Sequence, residues 1–325
     1  MAKLNMVQAI NRALLEEMGQ DDRVVVMGED VGVNGGVFRV TDGLLEKFGA
    51  SRVIDTPLAE SGIVGTAIGM AAYGIKPVAE LQFMGFLPPA LDQIICHVAR
   101  IRYRSRGRFQ SPLVIRMPYG GGIHAPEHHS ESTEAILVHI PGIKVVIPSG
   151  PHDAKGLMVS AIRDPDPVVF LEPKKIYRAF KEEVPEESYT VPLGVAKVLR
   201  EGRDLVIISW GAMIRVALEA AEKASAEGYD CRVVDVRTLS PLDDEGIVRA
   251  VRETGRAIIL HEAPRTCGMG AEIAATIMEK AFFSLQAPIE RVTGFDTPMP
   301  LLKMEDHYMP HSERVLRAIR KVMTA

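Results

Sequence analysis

The chain has 325 residues, of which 47% are hydrophobic and 25% charged, and its formal net charge is -4 at pH 7. This composition is typical of a globular protein, and the length predicts two domains. The slight acidity and the lack of any basic run argue against nucleic acid as a partner. No apolar run is long enough to span a bilayer, so no membrane is expected. Three widely spaced cysteines and no signal-peptide core predict a reducing, cytoplasmic location.

Helical and extended patterns alternate from Asn5 to about Glu172, which predicts a parallel sheet covered on both faces. The predicted strands of this part are 24–27, 77–81, 113–115, 145–147 and 168–171. Helices are predicted near residue 6, after residue 60 and over 91–101. We therefore expect an α/β fold whose first domain covers residues 1–175.

A charged segment punctuated by prolines, 176–192, predicts an interdomain linker. A second and smaller α/β domain is then expected over 193–325. Its predicted strands are 205–208, 231–236 and 257–260, and its predicted helices are 213–227, 243–254 and 312–323. Alternation of the two patterns again indicates a mainly parallel sheet.

The most informative single residue is Glu60, which opens a predicted helix with almost no polar surface. Gly65 and Gly69 in that helix allow close approach of a backbone or a planar ligand. A helix so apolar is expected to be buried, and Glu60 with it. Burial disfavours an ionised carboxyl, which suits a group that shares a proton with a ligand. The alternative is that Glu60 only complements the helix dipole.

Two loops offer further chemistry. The loop 28–36 is rich in glycine, but it lacks a phosphate-binding spacing and carries Glu29, so it is expected to shape a site wall. The loop 119–130 presents His124, His128 and His129, which can donate or accept a proton near neutral pH. Zinc binding by the first two would need a helix that the local glycines and Pro126 oppose. A solvated, non-functional loop is the other alternative.

Four motifs in this order make the chain recognisable. They are 55–60 (DTPLAE), 82–86 (QFMGF), 128–130 (HHS) and 141–148 (PGIKVVIP), followed near the end by 295–298 (FDTP). Over essentially its whole length the sequence resembles the beta subunit of the thiamine-diphosphate-dependent component of 2-oxo acid dehydrogenase complexes. The resemblance implies a transketolase-like architecture, with a pyrimidine-binding domain followed by a smaller C-terminal domain.

The resemblance also implies roles for individual residues. Glu60 matches the acid that hydrogen-bonds the aminopyrimidine ring of thiamine diphosphate, and Phe86 the aromatic that stacks on that ring. Leu58 and Gln82 match neighbouring wall residues, and Glu29 is counted with these cofactor contacts. His129 matches the histidine that handles a proton or charge during acyl transfer to a lipoyl group. A structural potassium ion is implied at Leu113, Ala161, Ile162, Asp164 and Asp166.

The family holds Mg²⁺ and the diphosphate with a Gly-Asp-Gly motif and asparagine ligands. This chain has only Asn5, Asn11 and Asn34 and lacks the motif. The resemblance therefore implies an alpha subunit that carries the diphosphate and Mg²⁺, with the active site at a subunit interface. An α2β2 heterotetramer is expected, docked through its beta C-terminal domain onto a lipoyl-bearing acyltransferase core.

Oxidative decarboxylation of a 2-oxo acid is therefore the expected function, and the 124–129 sequence favours pyruvate over branched-chain acids. Two alternatives stay open at this point. One is half of another transketolase-like thiamine enzyme, although no basic cluster for a sugar phosphate is evident. The other is a non-catalytic assembly subunit, which the missing metal motif would suit.

Overall fold

The computed structural model describes all 325 residues and consists of two compact units. The first unit comprises Met1–Tyr119 and Ile136–Leu193, and the second comprises Gly120–Ala135 and Gly194–Ala325. This division differs from the expected boundaries in two segments, and one of them is the expected linker 176–192, which groups with the first unit. Residues 120–135 lie in the range expected for the first domain but group with the second unit, because their backbone is held by side chains of that unit.

The first unit contains most of the long elements of the chain. Its strands are β1 (Ala2–Leu4), β2 (Val24–Gly28), β3 (Val53–Asp55), β4 (Lys76–Glu80), β5 (Val114–Tyr119), β6 (Lys144–Val146), β7 (Val168–Pro173) and β8 (Glu182–Val184). Its helices are α1 (Met6–Gln20), α2 (Leu44–Phe48), α3 (Glu60–Ala72), α4 (Leu91–Gln93), α5 (Ile101–Arg104) and α7 (Pro151–Arg163), and α6 (Glu134–Val138) begins in the second unit.

Six strands of the first unit form a sheet in the order β6-β7-β5-β4-β2-β3, and every pairing among them is parallel. Val24, Val26 and Val78 are almost fully buried, as a sheet covered by helices requires. Helix α1 packs against α7, and α3 packs against β4. The expected parallel architecture and its five strands are confirmed for this unit.

The prediction of one continuous helix over 91–101 is wrong. The chain instead forms α4, a π-helical segment at Ile94–Val98 and the separate α5. The wider turn is marked by Ala99, whose N–H donates to the carbonyl of Ile94 over 3.0 Å. The Ala99 carbonyl faces Gly142, so the break brings two backbones close together.

Gly142 offers a sharp test of this close approach. Its φ is +105°, and a Cβ atom there would lie 2.1 Å from the Ala99 carbonyl oxygen. We expect Gly142→Ala to destabilise the chain by more than the roughly 1–3 kcal/mol of backbone strain alone. Gly228→Ala is the matched control, because Gly228 has φ +88° but open space around it. Thermal melting of the two variants compares strain plus clash with strain only; equal shifts would contradict the close approach.

The second unit has its own sheet, with β9 (Lys197–Arg200), β10 (Leu205–Ser209), β11 (Cys231–Asp235), β13 (Ala257–Leu260) and β14 (Glu290–Val292) in the order β14-β13-β10-β11-β9. Only β9 runs antiparallel. The remaining elements are α8 (Met213–Ala226), β12 (Thr238–Ser240), α9 (Asp244–Thr254), α10 (Met269–Ala281), α11 (Glu305–Tyr308) and α12 (Ser312–Met323). The helices and strands expected here are confirmed.

The segment expected to be a linker is bound to the first unit along much of its length. Strand β8 pairs with β1, and Lys155 Nζ donates to the carbonyls of Pro185 and Glu187 over 2.8 and 3.0 Å. All three cysteines are free thiols. None of the helices combines the length and the hydropathy that crossing a membrane requires.

Candidate active site

The carboxyl edge of three adjacent strands gathers most of the expected site residues of the first unit. In the sheet register Gly28 of β2 lies opposite Asp55 of β3 and opposite Glu80 of β4. Glu29 follows the first of these strands, Glu60 opens the helix after the second, and Gln82 and Phe86 follow the third. Open parallel sheets place ligands at this edge.

Glu60 is the first residue of α3 and is 9% exposed, and Glu29 is 8% exposed. The two carboxyl groups interact electrostatically. Burial raises the pKa of Glu29, and the negative charges of Glu60 and Asp30 raise it further. A raised pKa makes Glu29 retain a proton more readily. This is the chemistry needed to share a proton with a nitrogen of a bound heterocycle.

The loop after β2 does not cradle a phosphate. Its backbone N–H groups at Gly32 and Val33 already donate to the Asp55 carboxylate, over 2.6 and 3.2 Å. Thr41 Oγ1 donates to the carbonyl of Val31 over 2.7 Å, which fixes the loop from its other side. These hydrogen bonds hold the loop on two sides, and its role as a site wall that presents Glu29 stays a prediction.

Phe86 ends a short 3-10 turn, Met84–Phe86, and is half-buried. Its ring packs edge-on against Phe83 with 5.6 Å between centroids, and Phe83 packs in the same way against Phe38 at 5.6 Å. Edge-to-face packing stabilises aromatic pairs and holds the Phe86 ring against Phe83. Gln82 is half-buried nearby in sequence, and Leu58 is 79% exposed.

A buried ionic cluster beneath this edge was not predicted. Arg116 on β5 is 1% exposed and donates from Nε and Nη2 to the Glu172 carboxylate over 2.6 and 2.7 Å, and from Nη1 to Glu80. Tyr177 also donates to Glu172, over 2.5 Å, and burial raises the pKa of this tyrosine well above its usual range. A charged residue within each of three otherwise buried strands was the signal in the sequence.

This cluster and the aromatic residues are continuous. Tyr177 packs against Phe38 with 5.1 Å between ring centroids, and Phe38 contacts Phe83. Lys174 Nζ lies 5.7 Å from the Phe83 ring centroid, within the range of a cation–π interaction. Contacts through Phe83, Phe38 and Tyr177 thus connect the Phe86 ring to the buried ionic cluster.

Helix α3 has two unlike faces. Ile63, Val64 and Ala67 are buried, as the sequence predicted, whereas Gly62, Thr66 and Gly69 are exposed. A Cβ atom added at Gly69 would meet nothing within 4 Å. The expectation of complete burial is therefore wrong for one side of the helix. After Glu60 the helix carries no charged residue, whereas a solvent-facing helix surface is normally charged or polar.

The expected histidines lie in the second unit on the loop 120–130, which we call the histidine loop. His129 is half-buried in a 3-10 turn, Glu127–His129, and its N–H donates to the Pro126 carbonyl over 2.9 Å. His124 has φ +56° and is exposed, with Nε2 3.4 Å from Asp306. His124 and His128 therefore do not share a helix, and no group of His, Cys, Asp or Glu in the chain has the arrangement to hold a metal.

The residues expected to hold potassium, namely Leu113, Ala161, Ile162, Asp164 and Asp166, all lie in the first unit. Both carboxylates are already paired with cations. Lys144 Nζ lies 2.5 Å from Asp164, and Arg102 Nη1 lies 2.5 Å from Asp166. The Leu113 and Ala161 carbonyls each accept one backbone N–H, from Val168 and Asp164, and a carbonyl retains a second lone pair for a cation.

Each of the three asparagines makes a side-chain hydrogen bond within this chain. The Asn5 side chain caps α1 by accepting from Gln8 N over 3.0 Å. Asn11 Nδ2 donates to the Val40 carbonyl over 2.7 Å, and Asn34 Nδ2 donates to Asp30 over 3.1 Å. Each amide therefore serves the fold of this chain.

Two family models cover the chain. Residues 2–179 match the transketolase pyrimidine binding domain, and residues 194–315 match the transketolase C-terminal domain. Among solved structures, a split gene transketolase described as an inactive beta4 tetramer superposes with a TM-score of 0.81, at 24% identity and 99% coverage of both chains. This likeness shows the fold. The transketolase-like two-domain architecture is thereby confirmed.

Curated relatives are similar along the entire sequence. The pyruvate dehydrogenase E1 component subunit beta of Bacillus subtilis is 52% identical over 323 residues, which covers 99% of both chains. The protein of the same name from Acholeplasma laidlawii is 50% identical over 325 residues, which covers 100% of this chain and 99% of the relative.

Proposed function

Because the chain belongs to the family of pyruvate dehydrogenase E1 component beta subunits, we propose that it acts with an alpha subunit in the oxidative decarboxylation of a 2-oxo acid and in acyl transfer to a lipoyl group. Pyruvate is the favoured substrate. The observation that carries the proposal is the buried Glu29–Glu60 carboxyl pair at the edge of the first-unit sheet. A buried acid at this edge supports the proposed proton sharing with a bound cofactor.

The family implies thiamine diphosphate, and the residues present fit its aminopyrimidine half. Glu60 would hydrogen-bond a ring nitrogen, and Glu29 is a second buried carboxyl at this edge, with a pKa raised by burial and by the charges of Glu60 and Asp30. Phe86 offers a ring face, with Leu58 and Gln82 as wall residues. When bound, thiamine diphosphate supplies an electron sink for the departure of carbon dioxide.

The alpha subunit completes the other half of the site in this proposal. This chain lacks the Gly-Asp-Gly motif and has only three asparagines, so we assign Mg²⁺ and the diphosphate to the alpha side. Helix α3, which begins at Glu60, has an exposed face without charged residues. We propose that the alpha subunit covers this face. We extend the proposal to an α2β2 heterotetramer, to docking of the C-terminal domain on an acyltransferase core and to potassium at the five residues named above.

His129 gives a prediction that separates two steps of the reaction. We expect His129→Ala to lower the rate of lipoyl-domain acylation roughly 10²-fold or more, because a positioned imidazole contributes that much to proton transfer. Decarboxylation measured with an artificial electron acceptor should fall less. His128→Ala is the control, since His128 is the adjacent and exposed histidine. Unchanged acylation by the His129 variant would contradict its assigned role.

Reconstitution tests the proposal as a whole. The chain is co-purified with its alpha subunit, thiamine diphosphate and Mg²⁺ are titrated in, and steady-state turnover is measured on pyruvate and on branched-chain 2-oxo acids. We expect saturable turnover of the pair with pyruvate preferred, and none for this chain alone. Full activity of the alpha subunit without this chain would leave it only an assembly role and would refute the proposal.

A further inference from the structure

Two buried carboxylates of the second unit bind the backbone of the histidine loop. The N–H of Gly121 donates to Glu262 Oε2 over 2.7 Å, and the N–H of Gly122 donates to Glu305 Oε1. Glu262 is 3% exposed and Glu305 is fully buried. Buried carboxylates need donors, and here the histidine loop supplies them. The loop and the carboxylates therefore satisfy each other.

The loop sits on these carboxylates with no spare space. A Cβ atom at Gly120 would lie 2.7 Å from Glu262 Oε2, and one at Gly121 would lie 2.6 Å from Met299 Cε. Gly120 and Gly122 also have φ of +83° and +89°, which favour glycine. The three consecutive glycines are thus explained by close approach and by left-handed backbone, and the path of the loop is fixed at its base.

The remainder of the loop is tied to that base. The N–H of Gly120 donates to the carbonyl of Glu131 over 2.8 Å, which closes the loop on itself. Ser130 Oγ donates to the Ala125 carbonyl over 3.3 Å, and Ser130 N–H donates to the Glu127 carbonyl over 2.8 Å. These hydrogen bonds connect the fixed glycines to the turn that carries His129.

A third buried carboxyl follows the histidine loop in the sequence. Glu134 is fully buried, and burial raises its pKa to about 7, with the charge of Glu262 acting in the same direction. A protonated Glu134 limits the negative charge around Glu262.

We propose that Glu262 and Glu305 are positioning residues that hold the histidine loop by its glycine amides and thereby set the place of the His129 imidazole. The inference rests on the proposed role of His129 for its consequence in catalysis. The anchoring itself does not rest on that role, because it concerns only contacts within the second unit.

Hydrogen–deuterium exchange tests the anchoring in the assembled enzyme. The exchange rate of peptides from residues 120–130 is compared for the native enzyme and Glu305→Ala. We expect the loop amides to exchange roughly tenfold to a hundredfold faster, since a hydrogen bond to a buried charge is lost. Glu305→Gln retains an acceptor and should restore most of the protection. Glu272→Ala is the matched control, because Glu272 is also an acid in the first turn of a helix of the second unit but is exposed.

Glu305→Asp guards against failure of the alanine variant to fold, since it keeps the charge and withdraws the oxygen by one methylene. It too should exchange faster in the 120–130 region only. Native exchange in both folded Glu305→Ala and Glu305→Asp would overturn the anchoring. Faster exchange across the whole second unit would overturn it as well, because Glu305 would then only stabilise the unit.

The catalytic consequence is measured separately. Glu305→Ala should reduce lipoyl acylation at least tenfold while decarboxylation with an artificial acceptor falls less, and Glu305→Gln should recover acylation. If His129→Ala is impaired in acylation but a locally loosened Glu305→Ala is not, the positioning role is refuted and the proposed function stands. If His129→Ala acylates normally, the proposed role of His129 fails, while the exchange result still decides the anchoring.

Discussion

Replacement of Glu60 by glutamine should lower turnover of the reconstituted enzyme by roughly 10²- to 10⁴-fold, the range of a general acid–base contribution. Glutamine keeps the size of the side chain and can still hydrogen-bond, but its amide cannot transfer a proton to a ring nitrogen. The carboxyl lies at the first turn of α3 with 9% exposure, beside Glu29. The measurement is steady-state decarboxylation with the alpha subunit present and thiamine diphosphate at saturation.

The competing interpretation is that Glu60 only complements the dipole of α3. It predicts a stability change of about 0.3–1 kcal/mol and near-native turnover. Glu46→Gln is the matched control, because Glu46 is also an acid in the first turn of a helix but is exposed. Near-native turnover in both variants would refute the catalytic assignment of Glu60.

The second large effect concerns stability. Arg116→Ala should destabilise the first unit by about 3–5 kcal/mol, because Glu80 and Glu172 would be left buried without their cation. Both carboxylates are at most 2% exposed, so water cannot replace the guanidinium without opening the sheet. Arg116→Lys should recover part of the loss, since it restores the charge but not the fork of donors. Urea unfolding followed by far-ultraviolet circular dichroism measures the effect.

Arg320→Ala provides the comparison for this prediction. Arg320 forms a two-bond pair with Glu227 over 2.9 and 2.6 Å, but its side chain is 49% exposed. Exposed pairs contribute roughly 0–1 kcal/mol. If Arg116→Ala cost no more than Arg320→Ala, the buried cluster would not be a determinant of stability.

The sequence predicted the sheet of the first unit and the start of α3 because both depend on local patterns. Runs of buried valines mark β2 and β7, and the apolar spacing after Glu60 marks the helix. The grouping of Glu29, Glu60 and Phe86 was implied by the family resemblance, and parallel strands deliver their carboxyl ends to one edge. These inferences required no long-range contact to be known.

Features set by distant contacts were beyond the sequence. The interrupted helix at 91–104 reflects the approach of Gly142, which is separated from Ala99 by more than forty residues. The histidine loop groups with the second unit because Glu262 and Glu305, far along the chain, accept its amides. The cluster at Arg116 joins three strands, and the charges within them gave no indication of which residues pair.

Helix α3 joins two properties that are usually separate. Its first turn carries the carboxyl that the proposed chemistry needs, and the same thirteen residues carry an uncharged face open to solvent. A helix is stiff over this length, so any body that settles on Gly62 and Gly69 also fixes the orientation of Glu60. Binding of the partner and orientation of the Glu60 carboxyl would then occur together. In an unassembled chain the exposed face of α3 would have no partner to fix the helix from that side.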